Sequence, residues 1–206
     1  MASISAWLRL VEKREKGPSP SFDRAHALLA FVTIGVSGTI GRQALAEGSG
    51  LGEGSVRTVL KKLREGKFVA TDALGCHLTE SGRELYESIL KKLTLPMLVR
   101  DSMFTADASQ VAILVRSGGN SVGSGIDQRD SAVRLGAAGA TTYIIKSGKF
   151  SVPGGSPDCE KDFPGRLWSA LRDGLKPRNG DAVIVCGARN KTTAKLGALS
   201  AALTLF

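Results

Sequence analysis

The stretch from residue 39 to residue 69 constrains the fold more than any other part of the chain. It reads as two short helices joined by a tight glycine turn. Ala44, Leu45 and Leu51 are apolar at intervals that let one short helix and the turn after it face a common core, while Gly48 and Gly50 permit the reversal between the helices. A second helix starts near Gly54, where Glu53 and Ser55 suit a first turn whose backbone donors are free. Val56, Val59, Leu60 and Leu63 then define one inward stripe by their spacing. Ser55, Arg57, Thr58, Lys61 and Lys62 are assigned to the opposite face. A hydroxyl-bearing, basic helix after a tight turn is what a helix-turn-helix unit lays in the major groove of DNA.

The residues that follow extend the pattern. Gly66 ends the helix, residues 68–71 form a β-prone run, residues 73–75 turn, and residues 76–79 return as a second strand. Helix, turn, helix and hairpin in that order make a winged helix. Thr79 stands at an N-cap position, with Ser81 and Glu84 as a weaker capping-box alternative, ahead of a helix running to about Leu93. Upstream, residues 21–35 form the first helix of the unit, with Phe22, Ala25, Leu28, Leu29 and Val32 facing inwards. Residues 17–20 break the chain before it. Earlier still, Ile4, Trp7, Leu8 and Val11 make one apolar stripe, opposite a face that ends in Lys13, Arg14 and Lys16. That stripe needs a partner, either the chain's own core or a second subunit.

Beyond Pro96 the character of the chain changes. Residues 95–108 keep neither a helical nor a strand period and read as an inter-domain joint. Residues 110–116 and 181–186 are β-branched apolar runs of the kind buried on both faces, and each leads through a glycine-bearing loop into a helix. Between them lie a hairpin turned at Ser147 and Gly148 and a helix over residues 163–175. The expected architecture is an α+β winged helix-turn-helix domain over residues 21–94, preceded by an N-terminal helix and linker over 1–20. A small α/β domain with a mixed sheet follows over 109–206. Arg134, Leu135, Gly136 and Ala137 are echoed by Lys195, Leu196, Gly197 and Ala198, small residues that let helices approach a sheet closely.

Composition limits the function. With 206 residues and 42% hydrophobic content the chain has enough material for two small cores. A formal net charge of +9 favours a polyanionic partner, although the charge is spread over both halves and locates no binding face by itself. Cys76, Cys159 and Cys186 form no metal-ligand spacing and leave an odd number for disulfides, which fits a reducing cytoplasm. His26 and His77 are too few and too far apart for a metal site, so no metal or cofactor is expected. The apolar run over residues 27–36 is too short to span a bilayer and lacks the flanks of a signal peptide.

In the second domain, the loops over residues 117–125 and 187–193 leave the ends of the two apolar strands, where ligands collect in open α/β sheets. Neither loop is a nucleotide fingerprint. Ile126, Val133 and Ala137 mark an apolar stripe whose middle turn holds Arg129 and Asp130, so that pair is expected to face the sheet as a buried ion pair beneath the loops. With the two strands parallel, Arg116, Ser117, Asn120, Arg129, Asp130, Arg189 and Asn190 would line one pocket for a small anionic metabolite. No nucleophile and base can be paired, and no catalytic residue is assigned.

The motif of Ile40, Gly41 and Arg42 with residues 51–57 in front, and of residues 125–130 with residues 136–142 behind, resembles an archaeal family of two-domain proteins. That family has an N-terminal winged helix and a C-terminal domain of unassigned function, and the resemblance covers nearly everything after Phe22. The front motif is also similar to bacterial repressors of sugar metabolism. The resemblance implies a transcriptional regulator and supplies no ligand.

From the residues, the expectation is a homodimer on double-stranded DNA, with Arg57, Thr58, Ser55, Lys61 and Lys62 in the groove and Arg42 on a phosphate. The dimer contact would come from the 4–11 stripe or from the helix to Leu93. A competing class is a small-molecule kinase or transferase fused to an autoregulatory winged helix, in which Asp130 would act as base or metal ligand. A third uses the winged helix for protein contacts and has no duplex affinity.

Overall fold

A computed structural model describes residues 4–12, 22–100 and 109–206. The expected break at residues 17–20, the basic residues Lys13, Arg14 and Lys16 and the 101–108 part of the joint lie outside the described residues. The chain divides into two compact units, residues 1–90 and 91–206.

The first unit contains α1 (Ile4–Glu12), α2 (Arg24–Ser37), β1 (Thr39–Ile40), α3 (Arg42–Ser49), α4 (Glu53–Glu65), β2 (Val69–Thr71), β3 (Cys76–Leu78) and all but the last two residues of α5 (Glu80–Lys92). Its strands form an antiparallel sheet in the order β1-β3-β2, with Thr39 opposite His77 and Val69 opposite Leu78. α2 is the central helix and buries residues on all sides, among them Leu28, Phe31 and Ile34. The Phe31 ring sits 6.0 Å from that of Trp7, 6.5 Å from Phe68 and 6.5 Å from Tyr86, so one aromatic side chain ties together α1, α2, the start of the hairpin and α5. The stripe of α1 is therefore consumed inside its own unit: Trp7 is fully buried, and Ile4, Leu8 and Val11 are buried beside it. α3 stops at Gly50, whose positive φ of 70° lets its N–H close back onto the carbonyl of Ala46. Thr79 caps α5 by accepting the Gly82 N–H at 3.0 Å. Gly82 is obligatory there, since any Cβ would collide with the carbonyl oxygen of Phe68.

The second unit contains β4 (Met97–Val99), β5 (Ser109–Val115), a 3₁₀ turn (Gly118–Ser121), α6 (Ile126–Arg134), β6 (Gly139–Lys146), β7 (Lys149–Ser151), α7 (Cys159–Asp162), α8 (Arg166–Leu175), β8 (Ala182–Ala188) and α9 (Lys191–Leu203). Its sheet runs β4-β5-β8-β6-β7 and every neighbouring pair is antiparallel, which corrects the expected mixed sheet. The two apolar runs are indeed buried on both faces. α6 and α9 cover one face, and the other carries a core of Leu114, Tyr143, Phe150, Trp168 and Val185 under α8. A strand sandwiched between helix layers is apolar throughout whichever way its neighbour runs, so composition does not encode the direction.

α9 packs tightly enough that a Cβ on Gly197 would lie 2.7 Å from the sulfur of Cys186 and 3.0 Å from the Cβ of Ala137. The small residues of the 134–137 and 195–198 echo serve that close approach. Burial of this kind pushes the Cys186 thiol up to about 12. Strands β1 and β4 and helix α7 are too short to carry a period and were not expected.

Candidate functional site

The outward face of α4 follows from its inward one. Val56, Val59, Leu60 and Leu63 are buried, which turns Glu53, Arg57, Lys61 and Arg64 to the exterior. Arg57, Lys61 and Arg64 stand at i, i+4 and i+7, one line along the helix. Arg64 belongs to that line, and the same spacing rule applied one turn further would have found it. Ser55 and Thr58 are half-buried at the flank, and Thr58 Oγ1 donates back to the carbonyl of Gly54 at 3.1 Å. Lys61 lies 3.8 Å from Glu65, a pair more than half exposed and weak in water.

Lys62 is the correction on this helix. It is buried at 4% exposure, and its Nζ donates to the carbonyl of Val11 at 2.7 Å. That carbonyl belongs to the last turn of α1, where backbone acceptors lack partners within the helix and a cation is favourable. Lys62 follows Val59 by three residues, so it shares the inner flank of α4 that α1 covers. Its charge holds a helix in place and does not face outward.

The N-termini of α3 and α4 lie at one shallow cleft of about 170 Å³, lined by Arg42, Gln43, Glu53, Val56 and Arg57. Both helices begin after glycine N-caps, Gly41 and Gly52, that supply no side-chain acceptor to their first-turn donors. A Cβ at Gly41, Gly52 or Gly54 would meet nothing within 4 Å, so main chain is exposed at this surface beside two guanidinium groups. Exposed main chain, helix N-termini and arginines together suit a phosphate oxygen. The β2–β3 turn carries no cation. Asp72 accepts the Leu74 N–H at 2.8 Å and the Gly75 N–H at 3.1 Å, and His77 Nδ1 lies 3.5 Å from its other oxygen.

In the second unit the seven residues expected around one pocket do not meet. Antiparallel pairing sets Ser109 opposite Ala188 and Val115 opposite Ala182, so residues 116–120 and residues 189–190 leave opposite ends of the sheet. Strands of this length hold those ends roughly 20 Å apart. Arg116 donates to Asp181 Oδ2 at 2.7 Å and to the carbonyls of Lys176 and Leu175. Asp181, 3% exposed, also accepts the N–H groups of Ser117 and Arg178. Both oxygens of the buried Asp181 carboxylate are satisfied, and the pair fastens the turn before β8. Arg129 and Asp130 are not buried. Their side chains are 59% and 56% exposed on the outside of α6, 3.4 Å apart. The face that packs inward carries Gln128, Ser131 and Ala132, while Ile126 and Val133 are exposed. Asn190 caps α9 by accepting the Thr193 N–H at 2.8 Å, with Arg189 exposed beside it. Asn120 is exposed at the far end.

Among the described residues no group of three or more His, Cys, Asp or Glu side chains is arranged to hold a metal. Burial raises the Cys159 thiol as well as that of Cys186, away from the thiolate a nucleophile requires. No helix among the described residues is long and apolar enough to cross a membrane.

Two family models match the chain. The PH0730-like N-terminal domain matches residues 30–84, and a domain of unknown function, DUF4443, matches residues 106–205. No curated protein matches at significance. Among solved structures, the hypothetical protein PH0730 from Pyrococcus horikoshii OT3 is 24% identical, with a TM-score of 0.73 over 90% of this chain and 93% of that one. That likeness establishes a shared fold.

Proposed function

We propose that this chain, a two-domain protein pairing a PH0730-like N-terminal domain with a C-terminal domain of unknown function, is a DNA-binding transcriptional regulator. The order α2, β1, α3, α4, β2, β3 is that of a winged helix-turn-helix, with α4 as the recognition helix. The observation that carries the reading is the line of Arg57, Lys61 and Arg64 along the outward face of α4, beside Arg42 and the main chain exposed by Gly41, Gly52 and Gly54. Laid in a major groove, Arg57, Ser55 and Thr58 meet base edges while Lys61, Arg64 and Arg42 meet phosphates.

The regulator works as a homodimer on two half-sites. The α1 stripe is spent on the chain's own core, and the outer face of α5 is charged, with Arg83, Glu84, Glu87 and Lys91 exposed, so neither expected surface supplies an apolar contact. The C-terminal domain senses a small anionic metabolite.

The test is fluorescence anisotropy of a labelled duplex at several salt concentrations. Wild-type protein should bind with a log affinity that falls linearly with log salt, and Lys61→Ala with Arg64→Ala should flatten that slope by about two ions. Absence of duplex affinity even at low salt overturns the reading.

A further inference from the structure

The β5–α6 loop and the β6–β7 turn border an open cleft of about 570 Å³ at the end of the second unit's sheet. That volume lies within the range of small-molecule sites. Four separated segments wall it: residues 119–123, 144–147, 153–154 and 179–180. They are held to one another by main-chain bonds, Gly119 N–H to the carbonyl of Gly180 at 2.8 Å and Gly180 N–H to that of Ile145 at 2.9 Å. The side chain of Asn179 accepts the Gly148 N–H at 2.7 Å. The cleft is therefore preformed.

Two of its glycines differ in what the fold asks of them. At Gly119 a Cβ would come 2.8 Å from the oxygen of Gly180 and 2.9 Å from Ile144 Cγ2, so packing alone demands glycine. At Gly123 a Cβ would meet nothing within 4 Å, and its φ is one any residue adopts. The absence of a side chain at 123 leaves the cleft open and does nothing for the fold. Along β6, two residues before Ile144 on the same face, Thr142 is buried and its Oγ1 has no hydrogen-bond partner. It lies beneath the same loop, 4.0 Å from where a Gly125 Cβ would stand.

The lining has one sign of charge. Lys146 brings an ammonium, Asn120 and Asn179 bring amides, Val122 and Ile144 bring apolar surface, and no carboxylate lines the cleft. We infer that this cleft is the ligand site of the C-terminal domain and takes a small organic carboxylate with a compact apolar body, its charge on Lys146 and its body against Val122 and Ile144. The inference deepens the sensor half of the reading above and rests on it. It replaces the pocket expected between two parallel strand ends.

The experiment is a titration of the full-length, ¹⁵N-labelled protein without DNA, using benzoate as probe, benzamide as its neutral isostere and inorganic phosphate as charge alone. Benzoate should shift the amides of Gly119, Gly123, Gly154 and Gly180 saturably, and both controls should bind at least about tenfold more weakly, the size of one charge-assisted contact. Lys146→Gln, an exposed change that leaves the fold alone, should cost about the same factor. Gly123→Trp should abolish the shifts while the remaining spectrum keeps its positions. No benzoate binding, shifts scattered over exposed basic residues, equal binding of benzamide, or undiminished binding in both variants each overturns the inference. Because no DNA is present, failure here leaves duplex binding standing, and loss of duplex affinity leaves this result standing.

Discussion

Helices α4 and α6 carry the same kind of sequence signal, apolar positions at helical spacing with charges between them, and the signal orients one helix and misorients the other. In α4 the stripe of Val56, Val59, Leu60 and Leu63 is the buried face. In α6 the apolar residues Ile126 and Val133 are exposed, and the buried face carries Gln128, Ser131 and Ala132. The difference lies in the partner. α4 packs against apolar side chains, and hydrophobic burial sets its rotation. α6 packs on α9, where Ser131 Oγ meets Ser200 Oγ at 2.7 Å and Gln128 Nε2 donates to Thr204 Oγ1 at 2.6 Å. Small residues and hydroxyls make that seam close and specific, and the exposed Ile126 and Val133 pay no penalty large enough to turn the helix.

The largest expected effect separates the two helices by their apolar residues. Leu63→Ala, at a fully buried position, should lower the stability of the first unit by about 2–5 kcal/mol. Ile126→Ala should change that of the second by no more than about 0.5 kcal/mol. Hydrogen-exchange protection of slow amides in each unit reads both, and is preferred to one unfolding midpoint because two units need not unfold together. A large loss from Ile126→Ala would show that the exposed stripe of α6 is covered in solution.

Next in size is the polar seam. Ser131→Ala leaves the buried Ser200 hydroxyl with one partner fewer and should cost about 1–3 kcal/mol. Adding Ser200→Ala should recover part of that loss, giving a coupling term in a double-mutant cycle. Simple additivity would mean that the hydroxyls do not act as a pair and that close packing alone orients α6.

A third comparison lies within α4. Lys62→Ala should cost the first unit about 1–3 kcal/mol through the orphaned Val11 carbonyl and the loosened α1, with little change in duplex affinity at temperatures where the protein stays folded. Lys61→Ala should leave stability unchanged and reduce the salt slope of duplex binding by about one ion. Reversal of these roles would move the proposed duplex-binding side of α4 towards α1.

The contrast explains what could be read in advance. The two short helices α3 and α4 with the glycine turn between them, the Thr79 cap, the hairpin turned at Ser147 and Gly148 and both central strands are legible, because each rests on a local rule of spacing, turn chemistry or β-branched composition. Lys62 was misplaced because its burial depends on α1, fifty-one residues away in sequence. The second-domain pocket failed for one physical reason: strand direction is a property of the whole chain path, and reversing one strand moved Arg189 and Asn190 to the other end of the sheet. Of the residues expected there, Asn120 lines the cleft now assigned. In the sequence Gly123 is one of several glycines in the 117–125 loop, and only the open space around it sets it apart.

The smallest expected effect separates the units by pH. The chain's two histidines, His26 and His77, are both in the first unit. His26 closes a capping box at the start of α2: Asp23 accepts the Ala25 N–H at 2.8 Å, and the Asp23 N–H donates to His26 Nδ1 at 3.3 Å, which only a neutral imidazole can accept. Burial lowers its pKa below 6.5, outweighing the opposing attraction of Asp23. Above 6.5 the folded and unfolded chains both hold it neutral. As pH falls through 6.5 the unfolded chain takes the proton first, so stability is lost with acidification, down to the lower folded-state value. Amide protection in α2 should therefore decline between about pH 7 and pH 5, by less than any substitution above, while the second unit's protection follows intrinsic exchange alone. His26→Gln keeps an acceptor for the Asp23 N–H and does not titrate, so it should remove the decline. A decline that persists in the Gln variant, or that appears equally in the second unit, overturns the assignment to His26.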